Sequence, residues 1–572
     1  MNRSVLFLAV VFGIAAGVWY LYQARVAPPA EVVATTSTEM PPEPMPGTPV
    51  GATLLPGLGS YSFAVTSAHP DVQRWFDQGL SLTYGFNHDA AERSFLKAVE
   101  LDANCAMCWW GAALVLGPHV NAGMDPANNG KAWMRINKAM ELAPTTSPRE
   151  QAFIKALAAR YAENPAADRR PLDEAYAKAM GEVAASRTED VDAAVFHAEA
   201  LMDLQPWDYY DAQGQAKGRT NEVVATLEAV MQRNPDHFGA LHLYIHAVEA
   251  SNDPDRGAVA ADRLRELVPG SGHLVHMPAH IYTRVGRYHD AVVANQKAIA
   301  ADDAYLATCR PGVAVYPLAY VPHNHHFLWW ASSMEGASAA AIAAADETAK
   351  RATVPELLRL PDFIFLQDFM VTPLKARTQL GRWDEIVATP KPEADLVYPT
   401  AIWHYAQGMA AVRQARLDAA QEHLTALAAT AADPAWQNAM IGPMHPLSAT
   451  LGVAERVLAG ELAAARKDFP AAISALEQGV ALEDRVAYYE PPVWHHPVRQ
   501  FLAAQQLAAG LATAAEATYR EDLKRNRENG WSLYGLAQAL RAQKREADAK
   551  QVDSQFQKAW THADIQLESS RF

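Results

Sequence analysis

Residues 71–101 read DVQRWFDQGLSLTYGFNHDAAERSFLKAVEL. Apolar residues recur every three or four positions on either side of the "YGFNHD" break, which predicts two amphipathic helices joined by a tight turn. Small residues fall where those helices must meet. Gly79 lies in the first run, four residues after Trp75, and Ala91 and Ala98 lie in the second, on either side of Phe95. Small side chains let two backbones approach, and a large ring beside them fills the remaining space.

The same spacing returns along the chain. Trp109 and Ala113 repeat Trp75 and Gly79. Ala132, Ile136, Ala139 and Pro144 then keep register after an insertion of seven residues within 117–130. Ala279, Tyr282, Ala291 and Ala298 repeat the pattern, as do Gly408, Ala420 and Leu424, then Gly460, Ala472 and Leu476, and finally Trp531, Gly535 and Ala547. Recurrence at a fixed period marks a repeat architecture.

By these residues the chain resembles the tetratricopeptide-repeat (TPR) proteins, whose unit is a helix–turn–helix of about 34 residues. The resemblance covers roughly 70–560, about ten units, some degenerate. It implies an all-α fold, an α-solenoid winding as a right-handed superhelix, with a concave groove lined by the first helix of each unit. More narrowly, the chain is similar to large bacterial membrane-anchored TPR proteins of unassigned function that carry "GFNHD" (85–89 here) and "HMPAHIY" (276–282 here).

Three regions are expected: 1–25, 26–60 and a repeat domain over 61–572. After Arg3, Val5 to Tyr22 is an uncharged, mostly apolar run of 18 residues ending in Trp19, Tyr20 and Tyr22. At ~1.5 Å per residue it reaches ~27 Å, enough to serve as an inner-membrane anchor. The alternative is a cleaved signal, although the small-x-small site near Ala24 to Ala27 is poor. Either one places the remainder outside the cytoplasm, in a periplasm or as a secreted protein. Eight prolines between Pro28 and Pro56 predict a disordered linker. The net charge of −15 and the lack of a basic stripe argue against nucleic acid as a partner. Walker, dinucleotide, HExxH and GxSxG signatures are missing from the sequence.

Histidine is the concentrated residue. Ten of the 20 lie between His237 and His326. His242/His246 and His276/His280 are i,i+4 pairs, and Glu249 follows one turn after His246, so each set shares a helix face. Two imidazoles and a carboxylate are a sufficient set for zinc or copper. The resemblance implies that His273, His276 and His280 occupy groove-lining positions, with His325 at the matching place in the next unit and His323 and His326 beside it. It also implies that His242 and His246 take positions that normally pack, so buried hydrogen-bonding histidines are the alternative for them. His88 suits a helix cap as well as a ligand. His119 sits in the expanded loop. Cys105 and Cys108 form a CxxC that reads as a redox pair, a soft metal site or two buried small apolar residues. Glu490, His495 and His496 are placed on a second surface.

Three functions follow. One is a transition-metal binder holding zinc or copper in a His-lined groove. Another is an interaction scaffold holding a protein or peptide in that groove. The third is a metalloenzyme of unknown substrate, its site closed by the loops at 117–130 and 205–219. Catalytic residues are not assignable from the sequence.

Overall fold

The computed structural model describes residues 51–572 apart from 212, 313, 361–362, 437–438 and 443. The expected anchor at Val5–Tyr22 and most of the Pro-rich stretch lie outside the described residues. Among the described residues, no helix is long and apolar enough to cross a membrane.

The protein is all-α, a stack of helix pairs from 72 to 559. The strands among the described residues are the short antiparallel pair Met440–Gly442 and His445–Pro446. The first unit is Val72–Tyr84 and His88–Leu101, and the Asn87 side chain caps the second helix by accepting from the Ala90 amide. A Cβ on Gly79 would stand 2.7 Å from the Phe95 ring, and one on Gly111 would stand 2.5 Å from it. Phe95 is therefore wedged between the first helix of its own unit and that of the next. Gly408 against Leu458 and Gly460 against Leu476 repeat the device at 2.5 and 2.6 Å. This is the packing that the spacing of small residues requires, and it defines a TPR-like α-solenoid.

Gly79→Leu should overpack this contact and cost about 1–3 kcal/mol or more. Lys550→Ala, on an exposed helix face, should stay within about 0.5 kcal/mol of wild type in the same thermal or urea melts.

The last unit departs from the expected register. Ala547 is exposed, and in the pair Gly530–Ala542 and Glu546–Ala559 Ala537 and Ala549, each two residues further on than expected, are buried. Gly535 instead lies against Tyr519 of the preceding unit. Trp531 is buried but faces backward, donating its indole N–H to the Ser333 carbonyl at 2.9 Å.

The stack does not stay open. The Asp564 carboxylate accepts from the amides of Ser338 and Ala339 at 2.7 and 2.9 Å. At the other end, Tyr305 reaches Asn87 of the first unit at 3.3 Å. Residues 51–60, expected within the disordered linker, lie against the repeats. The Leu55 amide donates to Gln78 at 2.7 Å, the Gly57 carbonyl accepts from the Gly270 amide at 2.8 Å, and Leu58 is buried. The cause is local: Leu54, Leu55 and Leu58 give this end of the stretch apolar surface to bury.

Cys105 and Cys108 form a buried disulfide at the start of the helix Ala106–Leu114. With each sulfur bonded to the other, neither is a thiolate free to take a metal, which removes the pair from the ligand candidates.

Candidate metal centre

The helix Phe238–Val248 carries His242 and His246, with Glu249 at its C-terminal cap. The "HMPAHIY" stretch is two short helices, Gly272–His276 and Pro278–Arg284, because Pro278 has no N–H to continue the ladder. His273 and His276 stand before the break and His280 after it. His323 comes from Val321–Met334.

The resemblance places His273, His276 and His280 on an open groove and His242 and His246 at packed positions, but here the groove is filled and all five are buried. His242, His246, His273, His276 and His280 are all at most 2% exposed. Phe86, from the first unit's turn, lies 4.6 Å from His242 and 5.3 Å from His273 between ring centres. Trp207, on the 203–219 loop, stands 5.9 Å from His246. Tyr488 and Glu490 arrive from the segment before Val498–Ala508. Phe86 and Trp207 both hold positive φ, 54° and 66°, which costs a bulky side chain energy.

Hydrogen bonds fix which nitrogen carries the proton in His242, His246, His276 and His280. His242 Nδ1 lies 2.6 Å from the Tyr84 carbonyl, which can only accept, so Nδ1 is protonated and Nε2 presents a lone pair. His276 Nδ1 lies 2.7 Å from Asn295 Oδ1, and the Asn295 amide is oriented by donating to the Ala291 carbonyl at 2.8 Å. His246 Nδ1 donates to Glu249 Oε1 at 2.8 Å, leaving Nε2 buried without a partner. His280 Nδ1 donates to Glu249 Oε2 at 2.6 Å and to Glu490 Oε1 at 3.0 Å. The Tyr488 hydroxyl completes Glu249 at 3.1 Å.

The Nε2 atoms converge, His273 among them with its Nδ1 left without a partner. His276 Nε2 and His280 Nε2 are 2.7 Å apart, and His242 Nε2 and His273 Nε2 are 3.2 Å apart. Two lone pairs at such distances repel unless a proton or a cation lies between them. Burial works to lower the His280 pKa, but Glu490 and Glu249 outweigh it and push it up to about 10. Without a metal, His280 is therefore doubly protonated and donates to His276. Burial, followed by the charge of His280, pushes His246 down to about 3. Burial likewise holds His242, His273, His276 and His323 well below the ordinary imidazole value, in the neutral form that ligates. Glu490 is raised to about 7 by burial and by the neighbouring Glu249.

Three sets of donors, each within 4.8 Å of one another, can hold a metal ion: His242/His246/His273, His276/His280/His323, and His246/Glu249/His280/Glu490. Glu490 thus joins this centre instead of the second surface assigned from sequence. Asn295, the Tyr84 carbonyl and Tyr488 carry no motif that would have marked them, and Phe86 stands in the "GFNHD" segment only as a turn residue.

Other sequence candidates lie elsewhere. The face of Val321–Met334 toward the cluster is set by His323 and Phe327, each 4.8 Å from His276. His325 is turned toward Arg351 and Glu347, and His326 sits between Trp329 and Phe369, at 5.0 and 5.1 Å. His88 donates Nδ1–H to the Val115 carbonyl at 2.9 Å, and His119 stacks on Phe86 at 4.5 Å. His495 lies beside Trp494 at 4.9 Å, and His496 beside Phe501 at 4.4 Å.

No family model and no curated protein sequence matches the chain. Among solved structures it is similar to the APC/C hetero-tetramer Cut9–Hcn1, with 14% identity and a TM-score of 0.30, covering 86% of this chain and 76% of that one. It is also similar to human IFIT1 in a dimer with m7Gppp-AAAA, with 11% identity and a TM-score of 0.33, covering 83% and 94%. Both likenesses are remote. The TPR-like fold stands on the register and packing described above, and neither neighbour's ligand or partner transfers to this chain.

Proposed function

We propose that this protein is an extracytoplasmic, TPR-like helical protein that binds a transition metal, copper or zinc, in a buried histidine centre. The observation that carries the reading is the convergence of the Nε2 atoms of His242, His246, His276 and His280. Each is aimed into one interior while an acceptor fixes the Nδ1 proton, the arrangement by which outer groups orient histidine ligands. All-imidazole donors suit copper and zinc. The location outside the cytoplasm is supported by the apolar run at 5–22 and by the Cys105–Cys108 disulfide, since such bonds persist in oxidising compartments.

Protein purified without chelator should carry copper or zinc by elemental analysis. The double variant His276→Gln/His280→Gln should lose most of it while retaining helical circular dichroism. Wild-type protein that stays metal-free after exposure to both ions would sink the reading.

A metalloenzyme is the second reading, favoured by Phe86 and Trp207, two strained aromatic residues closing on His246. The peptide-groove reading needs these histidines open to a partner, and their burial counts against it at this place.

A further inference from the structure

We propose that the centre is dinuclear, with one copper ion in the His242/His246/His273 triad and a second in the His276/His280/His323 triad. The inference rests on the metal-binding reading above and concerns how many ions that one site holds, and which.

The donors are too many for one ion. A nitrogen ligand lies ~2.0–2.1 Å from its metal, so the ligands of one ion crowd within a few ångströms of each other. The two triads share no member, and each is that compact by itself. The third set is different in kind. Both oxygens of its Glu249 are already engaged by Nδ1 protons, from His246 of one triad and from His280 of the other, and Glu490 Oε1 accepts from His280 as well. Glu249 is therefore a strap between two ligand sets, orienting one member of each. Between ring centres the triads are 5.6 Å apart at His246/His280 and 5.9 Å apart at His273/His276, so two ions would be neighbours.

Charge selects the metal. As ligands the six imidazoles are neutral, His280 giving up its extra proton on binding, and Glu249 and Glu490 are the carboxylates in direct contact with the cluster. Buried charge must be balanced locally. Two monovalent Cu(I) ions match two carboxylates, whereas two zinc ions would leave two positive charges uncompensated. Three imidazoles give Cu(I) a complete three-coordinate shell from this chain alone.

The test is a stoichiometry. Full-length wild-type protein is titrated anaerobically with Cu(I) against a chromogenic Cu(I) chelator, and the loaded species is weighed by native mass spectrometry. The expected result is two ions for wild type, one for His273→Gln, one for His323→Gln and none for the two combined, with helicity checked for each. One ion in wild type overturns the dinuclear inference and leaves the metal reading standing. No ion of either metal overturns both. Two zinc ions held in preference to copper overturn the assignment of the metal. Because the wild-type count decides between these outcomes, a variant that fails to fold does not leave the question open.

Discussion

Glu249→Gln should weaken metal binding by roughly 10–100-fold, the usual effect of removing a group that orients histidine ligands. The carboxylate accepts Nδ1–H from His246 at 2.8 Å and from His280 at 2.6 Å, one on each oxygen. A glutamine can accept through one oxygen only. Its amide nitrogen would face the Nδ1–H of the other ring, and two donors cannot pair. That ring must move its proton to Nε2, which removes the lone pair the metal needs. Glu490→Gln should cost less, because Glu490 meets a single ligand, His280. Competition titration of the two variants checks the order. Equal affinities for Glu249→Gln and wild type would end the orienting role.

Lys375→Met should destabilise the protein by about 3–5 kcal/mol, the cost of leaving a buried charge unpaired. Lys375 and Asp368 are each 2% exposed, and Nζ meets Oδ1 at 2.6 Å. The Tyr398 hydroxyl donates to the same oxygen at 2.6 Å. Burial acts to raise the Asp368 pKa, but Lys375, His326 and the hydrogen bonds outweigh it and keep the carboxylate ionised. Removing the ammonium leaves that carboxylate with the tyrosine alone. Adding Asp368→Asn should recover most of the loss, since an amide oxygen still accepts from Tyr398 and no charge remains. Urea or thermal unfolding of the single and double variants measures both effects. A single variant as stable as wild type would show that the pair carries no such strain.

The helix pairs were legible because their cause is local. Gly79, Ala91 and Phe95 must sit where they do for two adjacent helices to touch, so their spacing survives in the chain. The histidine faces at 242/246 and 276/280 were legible for the same reason. What closes over them was not. Glu490 lies 241 residues after Glu249, and no periodicity links the two. Phe86 read as part of a turn, and only the folded chain lays its ring on His242. In the helix Val321–Met334, the TPR register places His325 on the groove. The face that meets the cluster is the stripe of Tyr320, His323 and Phe327, continued from a π-turn at Tyr316–Tyr320 that a TPR frame does not contain. The last unit slipped by two residues because Gly535 serves its predecessor.

The return of the chain ends onto the middle units changes how the whole stack behaves. In a linear array each unit feels only its neighbours, so terminal units fray alone and stability is close to a sum of unit and interface contributions. Here the bond from Tyr488 to Glu249 spans 239 residues, and that from Trp531 to Ser333 spans 198. These ties turn a row into a circuit. Distant units can no longer open independently, and loop-closure entropy must be overcome before the last contacts reward it, which slows folding. The histidine interior is complete only when residues 84–86, 242–280, 323 and 488–490 have all arrived. An ion bound there would report that these far-separated stretches are all in place.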